Sequence, residues 1–186
     1  MPAMTDELCR TLAEQAIKAD PEIENLLNAI AEAEKKKHGP DWRGPALSCR
    51  RCGTSGPESN ARAFCSTEPW ALTLCSNRLA DLGDIREVLR HELVHIFDFS
   101  TKRYDYESCS GLAASEIRAA REAECSGKFT FGFMRDRCIQ RTAVASTANI
   151  FPHDASRCVA DIFKQAMADL EPMKPNAPSS SAATKL

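Results

Sequence analysis

The stretch from Asp84 to Asp98 constrains this chain more than any other, because it combines an apolar helix with two histidines. Its sequence is DIREVLRHELVHIFD, and apolar residues lie on nearly all sides of the predicted helix. His91 and His95 are one helical turn apart on one face, where both imidazoles can reach a single Zn²⁺ ion. Burying these imidazoles costs free energy unless something binds them. The segment therefore predicts a metal-binding helix, and a core helix with satisfied histidines is the alternative.

The residue between the two histidines supplies the chemistry that such a site needs. Glu92 would lie beside the open coordination position, where a carboxylate can take a proton from water. In the pattern His-Glu-x-x-His this is the general base of a metallopeptidase. Tyr104 and Tyr106, in the loop that follows, are candidates for stabilising the oxyanion, although loop tyrosines usually do not do so. The pattern indicates hydrolysis of a peptide bond.

A catalytic zinc usually has three protein ligands, so the histidines need a third partner. We predict Glu116, because the twenty residues between it and His95 leave room for a loop and the first turn of an antiparallel helix over 112–125. Asp98 is the rival ligand. We expect it instead to accept a hydrogen bond behind the ligands, which would fix an imidazole tautomer or the neighbouring helix. A surface position for Glu116 is the alternative.

Length and charge limit the function classes. The chain has 186 residues, which suits one domain with extensions, and a formal net charge of -2. We expect no nucleic-acid partner, because no positive field recruits one. No apolar run approaches the roughly 20 residues of a membrane-spanning helix, and the N-terminus lacks the zones of a signal peptide. Any membrane contact is expected to be peripheral.

The chain has nine cysteines, and their oxidation state depends on the compartment in which the protein is located. A reducing cytosol or nucleus would leave most of them as thiols, whereas an oxidising compartment would pair up to eight and leave one over. The mitochondrial intermembrane space is an oxidising compartment that can be reached without a cleaved leader. Cys49 and Cys52, with Cys65 and Cys75, form an alternative structural zinc site. The second spacing is not that of a zinc knuckle, so disulfides are expected.

The rest of the pattern predicts a mainly helical α+β fold. Two helices form a hairpin in 1–40, with Asp20 as the N-cap and Pro21 at the first position of the second helix. A cysteine-bearing loop over 41–60 precedes short strands at 62–66 and 70–76. The second strand is expected either to form the rim of the cleft or to be an ordinary sheet strand.

Helix boundaries follow from capping signals and from composition. We expect Asp84 to be the N-cap of the metal helix, with Glu87 completing a capping box. Asp154 is expected to cap a last helix. Residues 129–147 predict a helix that helps to close the core, with Phe129, Phe131, Phe133, Cys138, Ile139 and Val144 as its apolar residues. The main domain would cover 41–170, and the proline-rich and serine-rich stretch 171–186 predicts a disordered tail.

Laid side by side, these motifs resemble a known family. The strings HELVHIFD at 91–98 and ASEIRAA at 114–120 closely resemble the mitochondrial inner-membrane-associated metalloproteases that mature subunit a of ATP synthase and help to assemble its membrane sector. The likeness covers roughly residues 8 to 170. It extends to the Asp20-Pro21 hairpin, Cys49-x-x-Cys52, LCSN at 74–77, Cys125, and Cys138 followed by RTA at 141–143.

The resemblance implies a minimal zincin-like metallopeptidase that binds Zn²⁺ through His91, His95 and Glu116. It also implies a location in the intermembrane space, peripheral to the inner membrane, with oxidised cysteines. The expected partners are the precursor of ATP synthase subunit a and assembly intermediates of the enzyme. The family has an assembly role that does not require cleavage, so a non-proteolytic chaperone with a dispensable zinc site is the alternative function.

This chain departs from the family at two places. Phe99-Ser100 stands where the family usually has His-Cys, and Ala114 stands where it has a cysteine. Cys109 is a candidate replacement for the missing partner. The pairing of the cysteines therefore stays open, whereas the predicted metal ligands are unaffected.

Overall fold

The computed structural model describes residues 4–55, 59–67 and 69–173, and this part of the chain is mainly helical α+β, as predicted. The helices are α1 (Asp6–Ala19), α2 (Pro21–His38), α3 (Leu82–Ser100), α4 (Cys109–Glu122), α5 (Gly132–Thr147) and α6 (Ala155–Ala168). The strands are β1 (Ala46–Arg50), β2 (Ala63–Thr67) and β3 (Trp70–Cys75), and a short 3₁₀ turn, Ser76–Arg78, follows them.

The N-terminal hairpin packs on α3, the helix that carries both histidines. Asp20 caps α2 as predicted, because its Oδ1 atom accepts hydrogen bonds from the backbone N–H groups of Glu22 and Ile23. Its Oδ2 atom lies 2.7 Å from Nη2 of Arg90 on α3. One hydrophobic cluster spans the hairpin, the sheet and α3. The hairpin thus covers one side of α3, and the predicted division at residue 40 stays a prediction.

The sheet differs from the prediction in one strand. Ala46–Arg50, which was expected to be part of a loop, forms β1 and pairs in parallel with β3. β2 pairs with the other side of β3 in an antiparallel manner, so the strand order is β1-β3-β2. The expectation that β3 forms the rim of the cleft is therefore wrong, because both of its edges are already hydrogen-bonded. β2 is the edge strand next to α3.

The start of α3 also differs from the prediction. Asp81 is the N-cap, and its carboxylate accepts a hydrogen bond from the backbone N–H of Asp84. Asp84 lies within the first turn, and Glu87 contacts Arg62 instead of capping. The capping prediction is wrong by three residues because the apolar pattern starts only at Ile85, whereas the helix begins at Leu82.

The second half of the molecule packs around α4. A second cluster joins α4, α5 and α6, and alanines on α4 let the neighbouring helices approach closely. Ile139 and Ala143 of α5 face this cluster, but Phe131 and Phe133 are 60% and 71% exposed. The helix therefore helps to close the core as predicted, although the phenylalanines named with it do not take part. Phe131 is only the N-cap residue of α5 and Phe133 lies in its first turn, so the buried face of the helix begins later.

Eight cysteines form disulfides in the described part of the chain. The pairs are Cys9–Cys49, Cys52–Cys75, Cys109–Cys158 and Cys125–Cys138. Cys65 is free and half-buried. The four-cysteine zinc alternative is wrong, because Cys52 and Cys75 are bonded to each other and Cys49 is bonded to Cys9. Cys109 has a partner on α6.

The predicted tail begins in contact with the domain. Asn25 donates a side-chain hydrogen bond of 2.7 Å to the carbonyl oxygen of Pro172, and Met173 packs on the first cluster. Residues 174–186 lie outside the described part of the chain, so the tail prediction for them is untested.

Candidate metal centre

Two helices bring the three predicted ligands together. His91 and His95 project from α3, and their Nε2 atoms lie 3.1 Å apart. Glu116, in the middle of α4, places its Oε2 atom 3.8 Å from Nε2 of His91 and 3.7 Å from Nε2 of His95. The three atoms thus form a compact triangle that could hold a metal ion. The ligand roles themselves stay predictions.

The triangle fits the dimensions of a zinc site. With metal–ligand bonds of about 2.0–2.1 Å, tetrahedral geometry puts neighbouring ligand atoms roughly 3.3 Å apart. The observed separations of 3.1, 3.7 and 3.8 Å lie on both sides of that value. Oε2 of Glu116 is buried and has no hydrogen-bond partner in the described part of the chain. Buried acceptors are normally satisfied, and a cation bound in front of this atom would satisfy it.

A hydrogen bond with Ser115 fixes the tautomer of His95. Its Nδ1 atom lies 2.8 Å from Oγ of Ser115, and Ser115 donates a hydrogen bond of 2.9 Å to Oδ2 of Asp98. Because the hydroxyl proton is directed to the carboxylate, Nδ1 of His95 must carry the proton of the imidazole. The lone pair of Nε2 is then free to face the predicted metal position.

Asp98 lies on the side of the predicted ligands that faces away from the metal position. Its carboxylate is fully buried and pairs with Arg118, with Oδ1 at 3.0 Å from Nη2 and Oδ2 at 3.1 Å from Nε. These contacts join α3 to α4. Asp98 does not belong to the group of side chains that converge on the metal position. Its contacts match the predicted supporting role, which stays a prediction.

His91 has a different support, which the sequence analysis missed. Its Nδ1 atom lies 2.9 Å from Oε1 of Glu124, just beyond the end of α4. A carboxylate accepts a hydrogen bond, so Nδ1 of His91 is protonated and its Nε2 also faces the metal position. No helical spacing indicates this contact, because Glu124 lies beyond the last residue of α4.

The loop tyrosines make contacts away from the predicted metal position. The hydroxyl of Tyr106 lies 3.1 Å from the carbonyl oxygen of His95 and 2.7 Å from Oγ of Ser115. The hydroxyl of Tyr104 donates to Asp169 at 2.7 Å. Tyr106 therefore supports α3 and, through Ser115, the imidazole of His95.

The site concentrates negative charge around the imidazoles. Burial opposes protonation of His91, but the nearby carboxylates of Glu124, Glu92 and Glu116 raise its pKa to about 9. Burial and the charge on His91 lower the pKa of His95 well below its usual value. Burial raises the pKa of Glu116 to about 7. A divalent cation would favour the unprotonated forms of His91 and Glu116, since it stabilises a neutral imidazole and an ionised carboxylate.

Glu92 faces a cleft of about 660 Å³, together with the metal-site residues His91, Glu116 and Glu124. Ala63 of the edge strand β2 and the segment 59–62 line one side, and the end of α5 with Asn149 and Ile150 lines the other. Burial raises the pKa of Glu92, which favours a group that can accept and return a proton. The arrangement can position a peptide between a base and a metal.

The arrangement described above is that of a metallopeptidase, with a His-Glu-x-x-His helix facing a carboxylate from a second helix. Comparison with family models agrees with this class. The model of the Peptidase M76 family matches residues 7–174, and the chain belongs to that family.

Curated relatives carry a more specific name. The chain is 25% identical over 148 residues to mitochondrial inner membrane protease atp23 of Aspergillus clavatus, covering 74% of this chain and 58% of that protein. It is 27% identical over 178 residues to the mitochondrial inner membrane protease ATP23 homolog of Xenopus laevis, covering 88% and 71%. The chain thus spans little more than half of the fungal relative. No solved structure matches it. None of the described helices is long and apolar enough to cross a bilayer.

Proposed function

We propose that this chain is a zinc metalloendopeptidase that cleaves a precursor protein at the mitochondrial inner membrane. The observation that supports it most is the convergence of the Nε2 atoms of His91 and His95 with the unsatisfied Oε2 atom of Glu116. Glu92 faces the same cleft, so a metal site and a base occupy one place. Membership of a peptidase family agrees with that chemistry.

The side chains divide the work of hydrolysis among them. Bound zinc would supply Lewis-acid polarisation of the scissile carbonyl and activation of water. Glu92 takes a proton from the attacking water and returns it to the leaving amine. Glu124 and Ser115 hold the two imidazoles in the tautomer that leaves each Nε2 free. The edge of β2 beside the cleft offers main-chain groups that can align an extended peptide.

The substrate and the location follow from the family resemblance and the relatives. We infer that the precursor of ATP synthase subunit a is the substrate and that assembly intermediates of that enzyme are partners. The relatives are named as mitochondrial inner membrane proteases, which supports the organelle. The four disulfides suit an oxidising compartment such as the intermembrane space, because a reducing cytosol keeps thiols reduced. Contact with the inner membrane is proposed to be peripheral.

A non-proteolytic assembly function is the second candidate. Phe131 and Phe133 are exposed, and such side chains can hold an apolar segment of a partner without cleaving it. Complementation of a strain that lacks the gene separates the two functions. If Glu92→Gln restores ATP synthase while the precursor stays uncleaved, assembly is the essential task. If it restores neither, cleavage is essential.

Zinc stoichiometry and precursor cleavage test the peptidase directly. Glu92→Gln should keep zinc at the wild-type ratio and lose about 10²–10⁴-fold in cleavage rate, the range for removing a general base. Glu116→Ala should reduce the zinc content as well. Glu24→Gln, which changes an exposed carboxylate on α2, is the matched control and should alter neither quantity.

Two results would contradict the assignment. Undiminished proteolysis by Glu92→Gln would remove its role as the base. Loss of zinc in Asp98→Ala, with zinc retained in Glu116→Ala, would make Asp98 the third ligand.

A further inference from the structure

The exposed apolar side chains of this molecule are not evenly distributed. Single exposed apolar residues are normal on a protein surface, whereas a cluster of them marks a binding surface. Within the described residues, five of the eight large apolar side chains that are exposed lie in 129–150: Phe129, Phe131, Phe133, Met134 and Ile150. This stretch covers α5 and the residues on either side of it. The cluster therefore indicates a surface that binds a partner.

Part of this cluster lines a concave surface, which we call the α5 groove. The groove has a volume of about 740 Å³, and it is lined by Phe129, Phe133, Met134, Arg137, Cys138, Arg141, Thr142, Ala145 and Ser146. The volume lies in the range of roughly 300–1,000 Å³ that is typical of ligand pockets. The rings of Phe131 and Phe133 stack with centroids 6.0 Å apart, which helps to hold Phe133 in place.

The α5 groove adjoins the catalytic cleft. Ser146 lines both spaces, and the predicted ligand Glu116 lines the cleft together with it. Asn149 and Ile150, about one turn further along the chain, line the cleft. A polypeptide held in front of Glu92 can therefore pass over Ser146 into the groove. The boundary between the two spaces therefore lies on the same cleft as the predicted metal position.

Two arginines give the groove a charge preference. Arg137 and Arg141 are four residues apart on α5, and both are exposed. Neither forms a hydrogen bond or an ion pair with any residue in the described ranges, whereas Arg62, Arg90 and Arg118 all pair with carboxylates. Unpaired guanidinium groups at the wall of an apolar groove are suited to bind a carboxylate of a ligand.

The shape favours a peptide over a lipid surface. Side chains that insert into a bilayer project from a surface, whereas Phe129, Phe133 and Met134 line a depression. The depression is also continuous with the cleft, which a lipid headgroup has no reason to enter. A polypeptide occupies both spaces at once.

We propose that the α5 groove is a substrate subsite that binds a large apolar side chain close to the scissile bond. Arg137 and Arg141 contact an acidic residue of the same segment. This inference rests on the proposed peptidase function and specifies its substrate class: an apolar segment with a nearby carboxylate.

Cleavage of an unfolded protein of known sequence tests the subsite. The full-length, zinc-loaded chain is incubated with denatured β-casein, and the cleavage sites are mapped by mass spectrometry. The wild type should cut where a large apolar residue occupies one fixed position, with an acidic residue nearby. Phe133→Ala should lower kcat/KM at such sites by about tenfold through a higher KM, because an apolar contact in a pocket is lost. Arg141→Glu should shift the preference from acidic to basic neighbours.

The controls separate failure of the subsite from failure of the peptidase. Leu8→Ala removes another exposed apolar side chain, on α1, and should leave the cleavage profile unchanged. An unchanged profile in both groove variants would overturn the subsite. If the wild type cleaves nothing, the proposed function fails, and anisotropy with a fluorescein-labelled casein peptide decides on the groove. Weaker binding by Phe133→Ala then supports the subsite, and equal binding overturns it.

A vesicle experiment decides between peptide and membrane. Flotation with cardiolipin-containing vesicles should be the same for the wild type and Phe133→Ala. If Phe133→Ala loses vesicle binding while its cleavage profile stays unchanged, the surface binds membrane and the subsite is wrong.

Discussion

The two histidines of α3 are held by very different surroundings. His95 is supported by Ser115 and, behind it, by Asp98 and Arg118, whose side chains are 0% and 1% exposed. His91 is supported by a single carboxylate, Glu124, whose side chain is 28% exposed. Both supports fix the same tautomer. The comparison shows that one imidazole is oriented by the protein core, whereas the other is oriented by a local contact.

The core support has a second task. Arg118 also donates hydrogen bonds to the carbonyl oxygens of Asp169 and Glu171, in the segment that follows α6. The group that holds Asp98 in place therefore also anchors the C-terminal segment to α4. No such anchoring contact of Glu124 is present among the described residues. We therefore expect substitutions behind His95 to lower the stability of the fold, and substitutions behind His91 to affect mainly metal binding.

Asp98→Asn tests this comparison and should have the largest effect on stability. It leaves the buried Arg118 without its main counter-charge, and removal of one member of a buried ion pair typically costs about 3–5 kcal/mol. We expect about 3 kcal/mol, the low end of that range, because Asp169 also lies 2.9 Å from Arg118. Urea denaturation followed by circular dichroism measures the free energy of unfolding.

The control for this prediction is Glu124→Gln in the same assay. Its partly exposed pair with His91 should contribute less than about 1 kcal/mol to stability. Equal losses in the two variants would show that both histidine supports belong to the core and would remove the contrast.

Glu124→Gln should sharpen the comparison at the level of metal binding. Loss of a group that orients a metal ligand usually lowers affinity by about 10–100-fold. We expect about tenfold, because the amide oxygen of glutamine can still accept the hydrogen bond from Nδ1 of His91 while the charge is lost. Competition with a chromophoric chelator measures the zinc affinity. Glu107→Gln, at an exposed loop position, is the matched control. Unchanged affinity in Glu124→Gln would mean that His91 is oriented by other groups.

The sequence predicted the part of this site that depends on local geometry. His91 and His95 share a face because helical spacing requires it, and Glu116 could be predicted from the length of the intervening loop. Glu124 could not be predicted in the same way, since it lies beyond the last residue of α4. Its contact with His91 depends on how α4 packs against α3, which no spacing rule gives.

Two other features depend on non-local packing. β1 pairs in parallel with β3, with Ala46 opposite Ala71, although β2 lies between them in the sequence. The cysteine-rich stretch around β1 carries turn signals, which hide the strand. The exposure of Phe131 and Phe133 is likewise invisible in composition, because aromatic residues in a helical segment normally indicate a core face. Only the packing of α5 against α4 shows which face is free.

Tyr106→Phe gives the smallest expected effect and tests whether the core support of His95 also takes part in catalysis. Its hydroxyl contacts the carbonyl oxygen of His95 and Oγ of Ser115, so the substitution removes hydrogen bonds and should cost about 1 kcal/mol of stability. An oxyanion donor would behave differently, because its removal usually lowers kcat by about 10²–10³-fold. Since the hydroxyl faces the back of the imidazole, we expect kcat for precursor cleavage to stay within about twofold of the wild type, far below such a loss. A fall of 10²-fold with normal zinc content would instead place this hydroxyl at the reacting carbonyl and would make His95 and its support a single catalytic unit.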